Sequence, residues 1–112
     1  MAKIRIVLVD DHVVLRSALR LLIDSQPDTL VVGQATESEE AFNVAKQTRP
    51  DIAVVDLSIP GEGGLKLIER LRRDLPATRI VVLTTHDDPV YVRAALSAGA
   101  LAYVAKTAAD SE

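Results

Sequence analysis

The chain has no cysteine and no tryptophan among its 112 residues. Without cysteine there is no disulfide framework and no thiolate metal site, which fits a reducing cytosol. Its aromatics are Phe42, Tyr91 and Tyr103 alone, too few for a platform on which bases would stack. An excess of positive charge is also lacking. Thirteen Lys and Arg stand against 16 Asp and Glu, for a net charge of −3, so no basic field favours DNA and this segment is not expected to contact nucleic acid. The opening MAKIRIVLVDD reaches Asp10 before an apolar run of signal-peptide length develops. Nowhere does the chain hold the run of about 20 apolar residues that a membrane span needs. What remains is 48% hydrophobic and 26% charged, the composition and length of one globular domain with one core.

Apolar spacing along the chain alternates between two periods. Lys3 to Val9, Leu30 to Ala35, Ile52 to Val55, Arg79 to Leu83 and Leu101 to Ala105 read as strands. Between them lie four helical patterns. The first carries Val14, Ala18, Leu21 and Leu22 as its predicted inward stripe and ends at Gln26-Pro27. The second opens on Thr36-Glu37-Ser38-Glu39, read as a capping box with Thr36 as N-cap and Glu39 three residues on. The third carries Leu65, Ile68, Leu71 and Leu75 and is closed by Pro76. The fourth has Asp88-Pro89 as N-cap and first helical residue, with Gly99 just past its end. Strands alternating with helices of this length mean βαβ units, a parallel sheet and helices on both faces.

Such a sheet brings all its carboxyl ends to one edge, where α/β folds bind ligands. Strand one ends in Asp10-Asp11, strand three in Asp56, strand four in Thr84-Thr85 and strand five in Lys106. Singly, each reads as a turn residue or a solvated charge. Together they put three carboxylates, a hydroxyl and an ammonium on one rim. Clustered carboxylates repel unless a cation sits among them. A hard dication with oxygen ligands, Mg²⁺, fits best. A rim of this kind suits a phosphoryl group, and an ionised Asp can accept one as an acyl phosphate.

The segments that carry these residues are VLVDDH at 7–12, VVDLSIPGEGGL at 54–65, VVLTTHDD at 81–88 and AYVAK at 102–106. In content and order they resemble the bacterial two-component response-regulator receiver domain. The DDH start and the LTTHDD segment resemble the subfamily that precedes a LuxR-type helix-turn-helix effector. The resemblance implies a flavodoxin-like, doubly wound, five-stranded parallel sheet of order 2-1-3-4-5. It also implies a phosphorylation-activated switch fed by a sensor histidine kinase. Asp56 would be the phosphoacceptor. Asp10, Asp11, Asp56 and the backbone carbonyl of Ser58 would hold Mg²⁺. Lys106 would pair with a phosphoryl oxygen, and Thr84 and Tyr103 would be the switch pair. Ser58 and His86 resemble family positions that tune how fast the phosphoryl group is lost. The partners implied are the kinase and the effector domain of a longer protein, with a homodimer as a further option and no membrane. Ile59, Ala18 and Ala102 depart from the family's usual Met, Gly and Gly.

Receivers also carry a fifth helix, and only Thr107 to Glu112 follow Lys106 here. The chain is therefore expected to be a receiver over 1–112, truncated at the start of its last helix, with any DNA-binding domain outside it. Val7, Val9 and part of the first helix are expected to lack cover. A Mg²⁺-dependent phosphohydrolase with an Asp nucleophile is the alternative. Such enzymes usually place a second acid two residues after the nucleophile, where this chain has Ser58. A flavodoxin- or cobalamin-type binder would want a Gly- or Ser-rich loop after strand one, where Asp-Asp-His stands. Arg70, Arg72 and Arg73 read as a solvated helix face, and His12 as a rim residue near kinase docking rather than a metal ligand.

Overall fold

The structure is a computed structural model that describes residues 2–84 and 89–105, with the side chains of Thr84 and Ala105 left out. The elements are β1 (Ile4–Val9), α1 (Val13–Asp24), β2 (Thr29–Ala35), α2 (Ser38–Thr48) and β3 (Ile52–Val55). They continue as α3 (Gly64–Asp74), β4 (Arg79–Thr84), α4 (Pro89–Ala98) and β5 (Ala102–Ala105). All strand pairs are parallel, and the sheet order is β2-β1-β3-β4-β5. This is the expected doubly wound sheet, its order reversing at β1 between β2 and β3. The register of β1 against β2 slips between Ile6 and Val7. The slip leaves Val32 without a residue opposite it on β1, since Val31 pairs with Ile6 and Gly33 with Val7.

The two faces differ in weight. Val7, Val9, Ala53, Val55, Ile80 and Val82 form one core with Phe42 of α2, Leu67, Ile68 and Leu71 of α3 and Ala95 of α4. Ile6, Leu8 and Val31 form a smaller core with Leu19 and Ile23 of α1. Val7 and Val9 are 0% and 2% exposed, so the expectation that they lack cover is wrong. Side chains alternate along a strand, and the face under α1 belongs to Ile6 and Leu8 instead.

The apolar stripe read on α1 does not face the sheet, in keeping with the expectation that part of the first helix lacks cover. Val14, Leu21 and Leu22 are exposed, Leu21 at 74%. Leu19 and Ile23 turn inward. The segment VVLRSALRLLID has apolar residues at helical spacing on two faces, and only the sheet chooses between them. In α2 the cap sits one residue later than expected. Glu37 is the N-cap, and its carboxylate accepts from the N–H groups of Glu39 and Glu40. Glu40 reaches back to the N–H and hydroxyl of Thr36. The reciprocal logic of the box survives with its register moved by one. At the end of α4, Gly99 at φ 118° lets its own N–H and that of Ala100 close onto Leu96 and Ala95. A side chain there would also meet Arg72, whose Cγ lies 2.5 Å from a built Cβ. Asp88, expected to cap α4, lies outside the described residues.

Candidate functional site: an acidic rim at the strand ends

Asp10 and Asp56 are the residues directly after β1 and β3. Their backbones continue the sheet pairing by one step. The N–H of Asp56 donates to the carbonyl of Val9 at 2.9 Å, and that of Asp10 to Ala35 at 3.0 Å. Neighbouring parallel strands therefore hold the two carboxylates side by side. Both are buried, at 4% and 1% exposure, while Asp11 faces outward from the same rim. Carboxylate oxygens of Asp10, Asp11 and Asp56 and a ring nitrogen of His12 all lie within 4.8 Å of one another. The fold thus brings together the three acids expected from the sequence.

The turn after Asp56 is tightly held. The N–H and the hydroxyl of Ser58 both donate to Asp56 Oδ1, at 3.1 and 3.0 Å, which fixes the plane of that carboxylate. Gly61 has φ 95°, and a Cβ there would stand 2.3 Å from Ser38 Oγ. That close approach lets Ser38, buried at the start of α2, accept from the N–H of Glu62 and donate its own N–H to Pro60. Arg70 of α3 completes the tie. Its guanidinium bonds Glu39 of α2 and Glu62 of the loop at 2.9 and 2.7 Å and stacks 3.9 Å from the centroid of Phe42. Those carboxylates hold the Arg70 pKa above its ordinary value. Arg70 is therefore a joint between three elements, not the solvated residue expected.

One further residue near the rim, Arg16, escaped sequence reasoning. Arg16 Nη1 donates to the carbonyl of Asp10 at 2.7 Å, and its Nε to Gln34 Oε1 at 3.0 Å. The signal was present, since Arg16 stands one helical turn past His12 and so faces the same end of α1. His12 lies at the rim as expected, and its ring faces the acids. Its Nδ1 lies 3.1 Å from Asp10 Oδ1 and 3.9 Å from both Asp11 Oδ1 and Asp56 Oδ2.

Thr84 ends β4, beside β3 in the sheet. Tyr103, on β5, packs against the larger core with its hydroxyl buried. Lys106, Thr85 and His86 lie outside the described residues, as does the side chain of Thr84. Among the described residues, no helix is long and apolar enough to cross a membrane.

Residues 6–112 match the model of the response regulator receiver domain. An uncharacterized transcriptional regulatory protein of Bacillus subtilis (strain 168), YhcZ, is 41% identical over 108 residues, which are 96% of this chain and 50% of that protein. The oxygen regulatory protein NreC of Staphylococcus haemolyticus is 36% identical over 109 residues, again 96% of this chain and 50% of the relative. The chain thus spans about half the length of these curated relatives. Among solved structures, a LuxR-family two-component response regulator from Aurantimonas sp. SI85-9A1 superposes with a TM-score of 0.89 at 39% identity, covering 95% of this chain and 76% of that one. The isolated REC domain of RcsB from Salmonella enterica serovar Typhimurium, determined in the presence of phosphomimetic BeF₃⁻, gives a TM-score of 0.87 at 26% identity, covering 94% and 78%. The family match over nearly the whole chain and the acidic rim at the ends of β1 and β3 lead to one conclusion: this chain belongs to the response regulator receiver domain family, the phosphorylation-activated signalling module of two-component systems.

Proposed function

We propose that Asp56 is the phosphoryl acceptor, with a sensor histidine kinase as donor and a transcriptional effector domain of a longer, cytoplasmic protein as the recipient of the signal. The observation that carries this reading is the pair of buried carboxylates, Asp10 and Asp56, on adjacent strand ends with Asp11 beside them. Burying two acids together is costly without a compensating cation or a task. Three carboxylates whose oxygens gather within 4.8 Å fit a hard dication that binds through oxygen. Asp10, Asp11, Asp56 and the carbonyl of Ser58 would hold Mg²⁺. When bound, it would offset the charge of the phosphoryl oxygens.

A carboxylate oxygen of Asp56 attacks the phosphorus of a phosphohistidine. The P–N bond breaks, its electron pair stays on the imidazole nitrogen, and that nitrogen then takes a proton from water. The product is an acyl phosphate on Asp56. Ser58, by donating twice to Oδ1, orients the attacking carboxylate. The domain catalyses only its own phosphorylation and dephosphorylation. Thr84 would meet a phosphoryl oxygen with its hydroxyl and Lys106 another with its ammonium, and His86 would tune phosphoryl loss. The end of β4 beside β3 supports the role of Thr84. The buried hydroxyl of Tyr103 supports its reading as the inward partner of that switch. The half-length coverage of the relatives supports a natural protein in which a DNA-binding domain lies outside this chain.

Enzymes of the phosphohydrolase alternative usually have a second acid two residues after the nucleophile. Ser58 occupies that position and is committed to Asp56 itself. Acetyl phosphate with Mg²⁺ separates the two. One phosphoryl group is expected on the intact chain by mass spectrometry, absent in Asp56→Asn and absent when EDTA removes the metal. A phosphoryl adduct on Asp56→Asn would overturn the acceptor assignment, and multiple turnover without adduct would favour the hydrolase.

A further inference from the structure

We propose that the amino edge of the sheet carries a second binding site, which takes a small phosphate monoester with a flat ring through Arg72 and Arg79. Arg79 opens β4 and Leu101 directly precedes β5, so the site lies at the end of the sheet opposite Asp56. There the end of α3, the start of β4 and the turn after α4 enclose a cavity of about 450 Å³, within the range of about 300–1,000 Å³ usual for small-molecule sites. Its lining includes both guanidinium residues, and no carboxylate among the described residues. That is a local positive field on a chain of net charge −3. The acids nearby are engaged elsewhere. Asp51, which lines an adjoining cavity with Arg79, accepts from the N–H of Arg5 at 2.8 Å, and Asp74 accepts from Arg73 at 3.1 Å. Arg72 is held in place. Its stem crosses Gly99 so closely that a Cβ there would lie 2.5, 2.8 and 2.9 Å from its Cγ, Cδ and Nε, and its Nη1 donates to the carbonyl of Pro76 at 3.2 Å. Its other guanidinium N–H groups, and all those of Arg79, make no hydrogen bond or ion pair among the described residues. The backbone N–H groups of Gly99, Ala100 and Leu101 are spent on Leu96, Ala95 and Ile80, so recognition of an anion falls to the two guanidiniums. Two such forks from different elements suit the several oxygens of a phosphate. The apolar lining argues for a body attached to that phosphate. Ile80 and Ala100 are buried at the cavity, while Leu101 is 64% exposed at it and offers a face on which a ring can lie.

Amide chemical shifts of the chain, titrated with AMP in the presence of EDTA, test this directly. EDTA keeps metal from the acidic rim, so a phosphate has no cation there to bind, and the outcome leaves the reading of Asp56 untouched. Saturable shifts are expected at residues 77–79 and 99–101. Adenosine and inorganic phosphate, each carrying half of the ligand, are expected to bind at least about tenfold more weakly than AMP. Arg79→Gln and Arg72→Gln are each expected to weaken AMP by at least about tenfold, as loss of a hydrogen bond to a charged group does. Arg79 makes no side-chain contact that the fold needs among the described residues, so Arg79→Gln decides the matter if Arg72→Gln disturbs the turn at Gly99. An absence of saturable shifts at these residues, or an Arg79→Gln chain that binds AMP as the parent does, overturns the site. Adenosine binding as tightly as AMP overturns the role of the guanidiniums, and free phosphate binding as tightly overturns that of the apolar lining.

Discussion

The buried carboxylate proposed to take the phosphoryl group is held by neighbours that have no part in that chemistry. Asp56 is oriented by Ser58, and the loop that carries Ser58 is held in turn by Ser38 and Gly61. Gly61→Ala would force a positive φ on alanine and push its Cβ into Ser38 Oγ, 2.3 Å away. It is expected to cost about 1–3 kcal/mol, read as a lower urea midpoint, and to slow labelling of Asp56 by acetyl phosphate. Ser38→Ala leaves the N–H of Glu62 without its hydroxyl acceptor and is expected to cost about 1–3 kcal/mol. The two should not add. Removing the hydroxyl relieves the overlap, so the double variant is expected to be more stable than the sum of the singles implies. Strict additivity would mean that the loop does not lean on Ser38.

Between elements, Arg70 gathers α2, α3 and the loop after Asp56 at one point. Arg70→Ala removes two ion pairs and a stacking contact with Phe42. The expected result is a lower urea midpoint together with faster proteolytic cleavage within residues 57–63. Surface ion pairs often contribute little, so an unchanged midpoint and cleavage rate would show that this joint is idle. The orientation of α1 is a second matter of this scale. Leu19 and Ile23 face the sheet while Leu21 is 74% exposed. Leu21→Gln is therefore expected to stay within about 0.5 kcal/mol of the parent. Leu67→Ala, at a site 0% exposed in the larger core, is expected to cost about 2–5 kcal/mol. Comparable losses from both would mean that α1 is turned the other way.

For the whole molecule, the question is how a phosphoryl group at one edge becomes a signal elsewhere. A ligand shifts two conformations only by its differential affinity for them. In the proposed switch, that difference is the contact of Thr84 with the phosphoryl group, coupled through the sheet to Tyr103 on β5. The strands of the two residues are neighbours, and Val82 pairs directly with Tyr103. Thr84→Ala is expected to accept a phosphoryl group on Asp56 while losing most of the accompanying chemical-shift change in α4 and β5. Shift changes equal to those of the parent would remove Thr84 from the switch.

Strand and helix positions, the parallel sheet and the three acids were legible in the sequence because each rests on local pattern. Apolar runs are short or periodic, and parallel strands must share one carboxyl edge wherever they lie. Residues 7–12, 54–65, 81–88 and 102–106 carried the family resemblance, and with it the order 2-1-3-4-5, which periodicity alone does not supply. The tertiary structure decided the rest. It chose the inner face of α1, because apolar residues on two faces of one helix look alike until a sheet covers one. It moved the cap of α2 by a residue, because Glu37 and Thr36 are both competent and only the path of the chain selects. It turned His12 into the acids, brought Arg16 to the carbonyl of Asp10 and joined Arg70 to Glu39, 31 residues away. The Arg70–Glu39 contact follows from how elements pack, and no local spacing encodes it.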